Sequence, residues 1–201
     1  MIEDGIIKAA GRELGHDVGV TKIDAQGRAA MPGFIDIHIQ GAGGSDILDA
    51  NPESLNNISR MCTRFGVTGF LATTICRPNA ENEHISNVVK CSGNDLGGAH
   101  LLGLHLEGPF ISMEKRGMIH HSAVANPSVS LFEKILGQCR GMLRMMTIAP
   151  ELAGASSIID RILANSIIPS FGHSSANYEQ ALDAFNMGVS HVTHLFNAMQ
   201  T

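Results

Sequence analysis

Aromatic side chains are scarce in this 201-residue sequence: tryptophan is absent, tyrosine occurs once, and Phe, Tyr and Trp together make up 4%. With so few rings and no stripe of basic residues, nucleic acid is not expected as a partner. No apolar run is long enough to span a bilayer and no signal-peptide core opens the chain, so no membrane association is expected. The four cysteines, Cys62, Cys76, Cys91 and Cys139, include no C-x-x-C pair. They read as reduced thiols of a cytoplasmic protein rather than a disulfide frame. The formal net charge is only −5, and 44% apolar content suffices for one well-buried core.

The first thirty or so residues differ from the rest. Ile2–Ala10 and Gly19–Ile23 read as short strands around turns at Asp4-Gly5 and Gln26-Gly27. Residues 1–31 are therefore expected to be the remnant of a small β-domain, too short to bury a core alone. From Pro32 onward, apolar strands begin near Phe34, Gly69, Leu102, Arg144, Ile167 and Val189, with helical periodicity between them. Asn51-Pro52-Glu53 is a strong helix start, and further helices are expected over Glu81–Lys90, Ser128–Cys139, Ser156–Ala164 and Ala176–Met187. This alternation predicts an α/β fold with a parallel sheet. A closed (β/α) barrel needs eight strands and usually about 250 residues. Residues 32–201 are therefore expected to form an incomplete TIM-like barrel of about six strands, a piece of a longer protein, since its edge strands lack clean protection.

Three strands end in strong metal-ligand types: Leu101–Glu107, Ile167–His173 and Val189–His194. In a parallel barrel such ends share one face, so Glu107, His173 and His194 can surround one cation. Two imidazoles and a carboxylate suit a divalent ion, zinc or iron, and point to metal-assisted hydrolysis. On the first strand, period two puts Asp36, His38 and Gln40 on the inner face and the isoleucines opposite. His38 is read either as a ligand or orienting group or as a core histidine, and Gln40, a poor ligand for such a metal, as a possible outer support or second-metal residue. His105, one pleat below Glu107, either supports a ligand or packs in the core. His16, His84 and His100 are expected to be solvated, and His191 to face away from His194. The loop carrying Lys115, Arg116, His120 and His121 either meets an anionic substrate or is simply solvated.

Together these segments resemble the N-acetylglucosamine-6-phosphate deacetylase family of the amidohydrolase superfamily. The resemblance is carried by Pro32–Gly44, GLHLEGPFIS at 103–112 with Lys115-Arg116-Gly117, TIAPE at 147–151, Gly172-His173-Ser174, and THLFNAM at 193–199. It implies cleavage of the acetamide of an amino-sugar phosphate at one divalent metal held by Glu107, His173 and His194. It also implies sugar-phosphate binding by Asn197 and Ala198, and a homodimer for the full-length protein. Three departures stand out. His38-x-Gln40 replaces the H-x-H found in many relatives, leaving a second metal site incomplete. Ile119 stands where the substrate-binding histidine is common, so His120 fills that role only with a one-residue shift. The family's catalytic aspartate is expected beyond Thr201, so the chain is expected to be a fragment of little activity. Two alternatives are another amidohydrolase, acting on a cyclic amide or an amine, and a non-catalytic sugar-phosphate-binding remnant. The former commonly carries a bridging lysine on the fourth strand, where Thr147–Glu151 stands here.

Overall fold

The structure is a computed structural model that describes residues 1–12, 14 and 19–200. The chain divides into two compact units, Met1–Pro32 and Gly33–Thr201. In the first, β1 (Ile2–Glu3) and β2 (Ile6–Ile7) form a small antiparallel hairpin across Asp4-Gly5. The strand expected over Gly19–Ile23 does not form, and His16 lies outside the described residues.

The second unit is an incomplete (β/α) barrel. Its strands β3 (Phe34–Ile39), β6 (Val67–Thr74), β7 (His100–Glu107), β8 (Leu143–Ile148), β9 (Ile168–Phe171) and β10 (His191–Val192) lie in chain order in one parallel six-stranded sheet. A short antiparallel ribbon, β4 (Gly41–Ala42) with β5 (Ser45–Asp46), follows the first of them. Helices α1 (Pro52–Arg64), α2 (Glu83–Lys90), α3 (Val129–Cys139), α4 (Ala155–Ala164) and α5 (Tyr178–Asn186) alternate with the strands. Two of the starts have a clear local cause. The Asn51 side chain accepts from Ser54 N–H at 2.9 Å ahead of Pro52, and Asn177 and Gln180 cap α5 reciprocally.

Sheet and helices are held by the outward-facing strand residues. Leu104, Leu106, Met146 and Ile148 pack with Ile58 of α1, Ile85 of α2, Ile135 of α3 and Ile158 of α4 in one buried cluster. Each such side chain contributes roughly 1.5–3 kcal/mol of burial. The alternate residues face inward and are largely polar: Thr73, His105, Glu107, Thr147 and Ser170. All four cysteines are free and buried, and burial pushes Cys76 up to about 11 and Cys139 to about 12. Among the described residues, no helix is long and apolar enough to cross a membrane.

Two readings of histidine exposure need correction. His84 is buried, not solvated, because it lies on the packed face of α2 beside Val88 and its Nε2–H donates to Ile75 O at 2.8 Å. His191 does not point away from the interior. It pairs with Ser170 on the inner face and lines a cavity of about 260 Å³ with His38, His105 and His194. The alternation counted back from His194 fails because β10 ends at Val192 and His194 is left-handed, φ +55°.

Candidate metal centre

Glu107 closes β7 with its side chain 1% exposed, and three imidazoles face its carboxylate. His173 Nε2 lies 2.9 Å from Glu107 Oε1, His194 Nε2 lies 2.5 Å from the same oxygen, and His38 Nε2 lies 3.9 Å away. The other oxygen, Oε2, accepts from Gln40 Nε2 at 2.6 Å. Gln40 is thus a donor that orients the carboxylate, consistent with its poor suitability as a ligand. Ligand atoms of His38, Glu107 and His194 all lie within 4.8 Å of one another. His173 stands outside that trio but touches its carboxylate directly.

The inner-face assignment of Asp36 changes. The pairing of β3 with β6 slips between Asp36 and Ile39, so three residues of β3 span two of β6. Such a bulge breaks strict alternation. Ile39 then packs with the main core, Asp36 accepts from the His38 amide at 3.0 Å, and the His38 ring meets those of His105 and His194 edge-on.

Protonation shows what the cluster requires. His173 Nδ1–H donates to Lys115 O at 2.8 Å, which leaves Nε2 with a lone pair aimed at a carboxylate oxygen. That contact is favourable only with a proton or a cation between them. Burial opposes charge on His173, but the hydrogen bonds to Glu107 and Lys115 outweigh it and hold its pKa above the ordinary value. Burial likewise opposes ionisation of Glu107, yet the His173 hydrogen bond and the surrounding histidines bring it down to about 2. His38 is lowered, chiefly by burial. One carboxylate oxygen facing three imidazole nitrogens is the donor set of a divalent transition metal, and the residues present fit such an ion.

Beneath the cluster, His105 is a fixed support. Its Nδ1–H donates to Ile37 O at 3.0 Å, and its Nε2 accepts from Thr147 Oγ1 at 2.8 Å. Thr147 Oγ1 lies 2.9 Å from Thr193 Oγ1, itself 2.7 Å from Ser170 Oγ. Since Ile37 O can only accept, the chain has one direction: Ser170 donates to Thr193, Thr193 to Thr147, and Thr147 to His105. Individual threonines and serines gave no signal in the sequence, although strand alternation places them inward.

The cluster opens into a cavity of about 620 Å³ lined also by His120, Asn197 and Ala198, so these three expected substrate residues share one space. Asn197 N–H donates to His194 O at 2.6 Å, whereas Ala198 N–H has no partner among the described residues. Arg116 does not project as a free cation: its guanidinium donates to Ile119 O at 2.8 Å and braces the loop. Ile119 is buried with Ile111 and Ala123.

No model of a protein family matches the chain. Among curated proteins it is 36% identical over 206 residues to the N-acetylglucosamine-6-phosphate deacetylase of Bacillus subtilis, covering 98% of this chain and 51% of that protein. It is 35% identical over 181 residues to the human enzyme of the same name, covering 88% of this chain and 44% of that one. The crystal structure of the Mycobacterium smegmatis deacetylase superposes with a TM-score of 0.77 at 30% identity, over 84% of this chain and 44% of that one. This chain is homologous to the N-acetylglucosamine-6-phosphate deacetylases over about half of their length. The Pasteurella multocida member of the family superposes equally well, TM-score 0.77 at 31% identity, over 92% of this chain and 48% of that one. An aspartate-to-alanine variant of the Mycobacterium smegmatis deacetylase has been solved in complex with N-acetyl-D-glucosamine-6-phosphate.

Proposed function

We propose that this chain carries the cation-binding and sugar-phosphate-binding part of a deacetylase acting on N-acetylglucosamine 6-phosphate, yielding glucosamine 6-phosphate and acetate. The observation that supports it most is the meeting of His38, His173 and His194 at Glu107 Oε1. Glu107, His173 and His194 would hold one divalent ion, zinc or iron. The ion supplies Lewis-acid polarisation of the acetamide carbonyl and lowers the pKa of water at the site. The chain's own residues set the geometry for that chemistry. Gln40 holds Oε2 of Glu107, and Lys115 O fixes the His173 tautomer so that Nε2 is the free nitrogen. Ala198 N–H, with the Asn197 side chain and His120, is proposed to receive the sugar phosphate at the cavity wall. Unit Met1–Pro32 is proposed to belong to a small β-domain.

Metal analysis tests this reading. The purified chain is expected to take up about one divalent ion. Glu107→Gln or His173→Ala should weaken uptake beyond the roughly 10–100-fold loss typical of outer partners. Metal content unchanged in both variants would remove the cluster from the reaction. A chain that binds the ion but not the sugar phosphate would instead favour another amidohydrolase substrate.

A further inference from the structure

Glu151 lies three residues past β8, and no role has yet been given to it. Its carboxylate accepts from Ser174 Oγ and from Ser175 N–H, both at 2.6 Å. Both donors follow His173 directly in a buried loop, where Ser174 is 0% exposed and His173 takes the left-handed φ of +51°. The same loop reaches two others. Ser174 N–H donates to Ala198 O at 3.1 Å, and Ser112 N–H donates to His173 O at 2.8 Å. Ser174 Oγ is also used twice, donating to Glu151 and accepting from Ala176 N–H at 3.0 Å. A carboxylate suits this place because both of its oxygens accept. A glutamine would offer one acceptor and turn an NH₂ towards a donor.

We propose that Glu151 is a positioning residue that holds the His173 loop in the conformation in which Ser174 N–H reaches Ala198 O, so that the cation site and the sugar-phosphate wall take shape together. This rests on the deacetylase reading above. Residues that orient ligands from behind typically change metal affinity about 10–100-fold.

The test uses Glu151→Gln and Ser174→Ala in the full chain, with two readouts. In metal-free protein, amide exchange at Ser174 should accelerate in Glu151→Gln, while Leu104 N–H, which donates to Met142 O in the core, stays as protected as in the wild type. In Co²⁺ titrations, affinity should fall about 10–100-fold, with a changed ligand-field spectrum. Ser174→Ala keeps the Ser175 N–H bond and should give a smaller loss in both readouts. Unchanged Ser174 exchange would overturn the proposal, as would Co²⁺ affinity equal to a metal-binding wild type. Equal loss of protection at Leu104 would also overturn it, because the effect would then be general unfolding. A wild type that takes up no Co²⁺ would sink the metal reading alone, and the exchange readout would still decide whether Glu151 holds the His173 loop.

Discussion

At the scale of the residue, His105 shows how the floor of the site depends on pH. Burial first, then the neighbouring His38, push its pKa down to about 4. It stays neutral in the folded state while an unfolded chain protonates it below about 6.5. Its contribution to stability is therefore complete above that pH and is lost as the pH falls towards 4. A depression of about 2.5 units corresponds to roughly 3 kcal/mol. Urea denaturation at pH 7 and pH 4 should show it: His105→Gln should be less stable than the wild type at pH 7, and the gap should close by about that amount at pH 4. A gap independent of pH would mean that His105 is not held neutral by its surroundings. The flanking candidate ligands have another constraint. His173, His194, Phe196 and Ala198 all have positive φ, between 50° and 69°. Left-handed conformations cost L-residues of this kind on the order of 1 kcal/mol each and recur where function demands them.

At the scale of the element, Gly172 lets β9 sit between its neighbours. A Cβ there would lie 2.8 Å from Thr193 Cβ, 2.9 Å from Thr147 Cγ2 and 3.0 Å from Thr193 O. Gly172→Ala should therefore destabilise the chain by about 1–3 kcal/mol through overpacking. It should also move His173, the next residue, away from Glu107. A denaturation midpoint equal to that of the wild type would show that the strands have slack at this level. Elements were legible where caps and periodicity agreed: Asn51-Pro52 opened α1 as expected, and the six strands came in the expected order. What escaped were breaks in periodicity. The bulge in β3 broke the alternation expected to put Asp36 and His38 on one face, and two-residue β10 cut short the alternation used to orient His191. His84 escaped because an imidazole with its N–H satisfied packs like an apolar ring, which residue type alone does not reveal. In the site, Glu107, His173 and His194, which the structure brings together, were visible as types and positions. Of the supports, Gln40 and His105 could be picked out by type and face, whereas Lys115 could not, since it acts through its backbone carbonyl.

At the scale of the whole molecule, the large cavity offers few carboxylates that could move a proton. The carboxylates lining the large cavity are Glu107 and Asp46. Glu107 is committed to the histidines, and Asp46 Oδ1 accepts from Leu48 N–H at 2.8 Å within a capping box. No other carboxylate among the described residues lines that space. A positioned general acid–base is worth typically about 10²–10⁴-fold in rate. With metal bound, the chain should therefore deacetylate N-acetylglucosamine 6-phosphate at least about 10²-fold more slowly than the Bacillus subtilis relative under the same conditions. Binding should remain: a divalent ion at 100 times its dissociation constant should stabilise the fold by about 2.7 kcal/mol, and a chelator should reverse the gain. Side-by-side kinetics and thermal melts check both halves. If turnover matched the relative, the proton would have to move through a group already in the cavity, and Asp46 would be the first to examine. Asp46→Asn would then abolish the rate while leaving metal uptake intact, because Asp46 does not touch the Glu107 cluster.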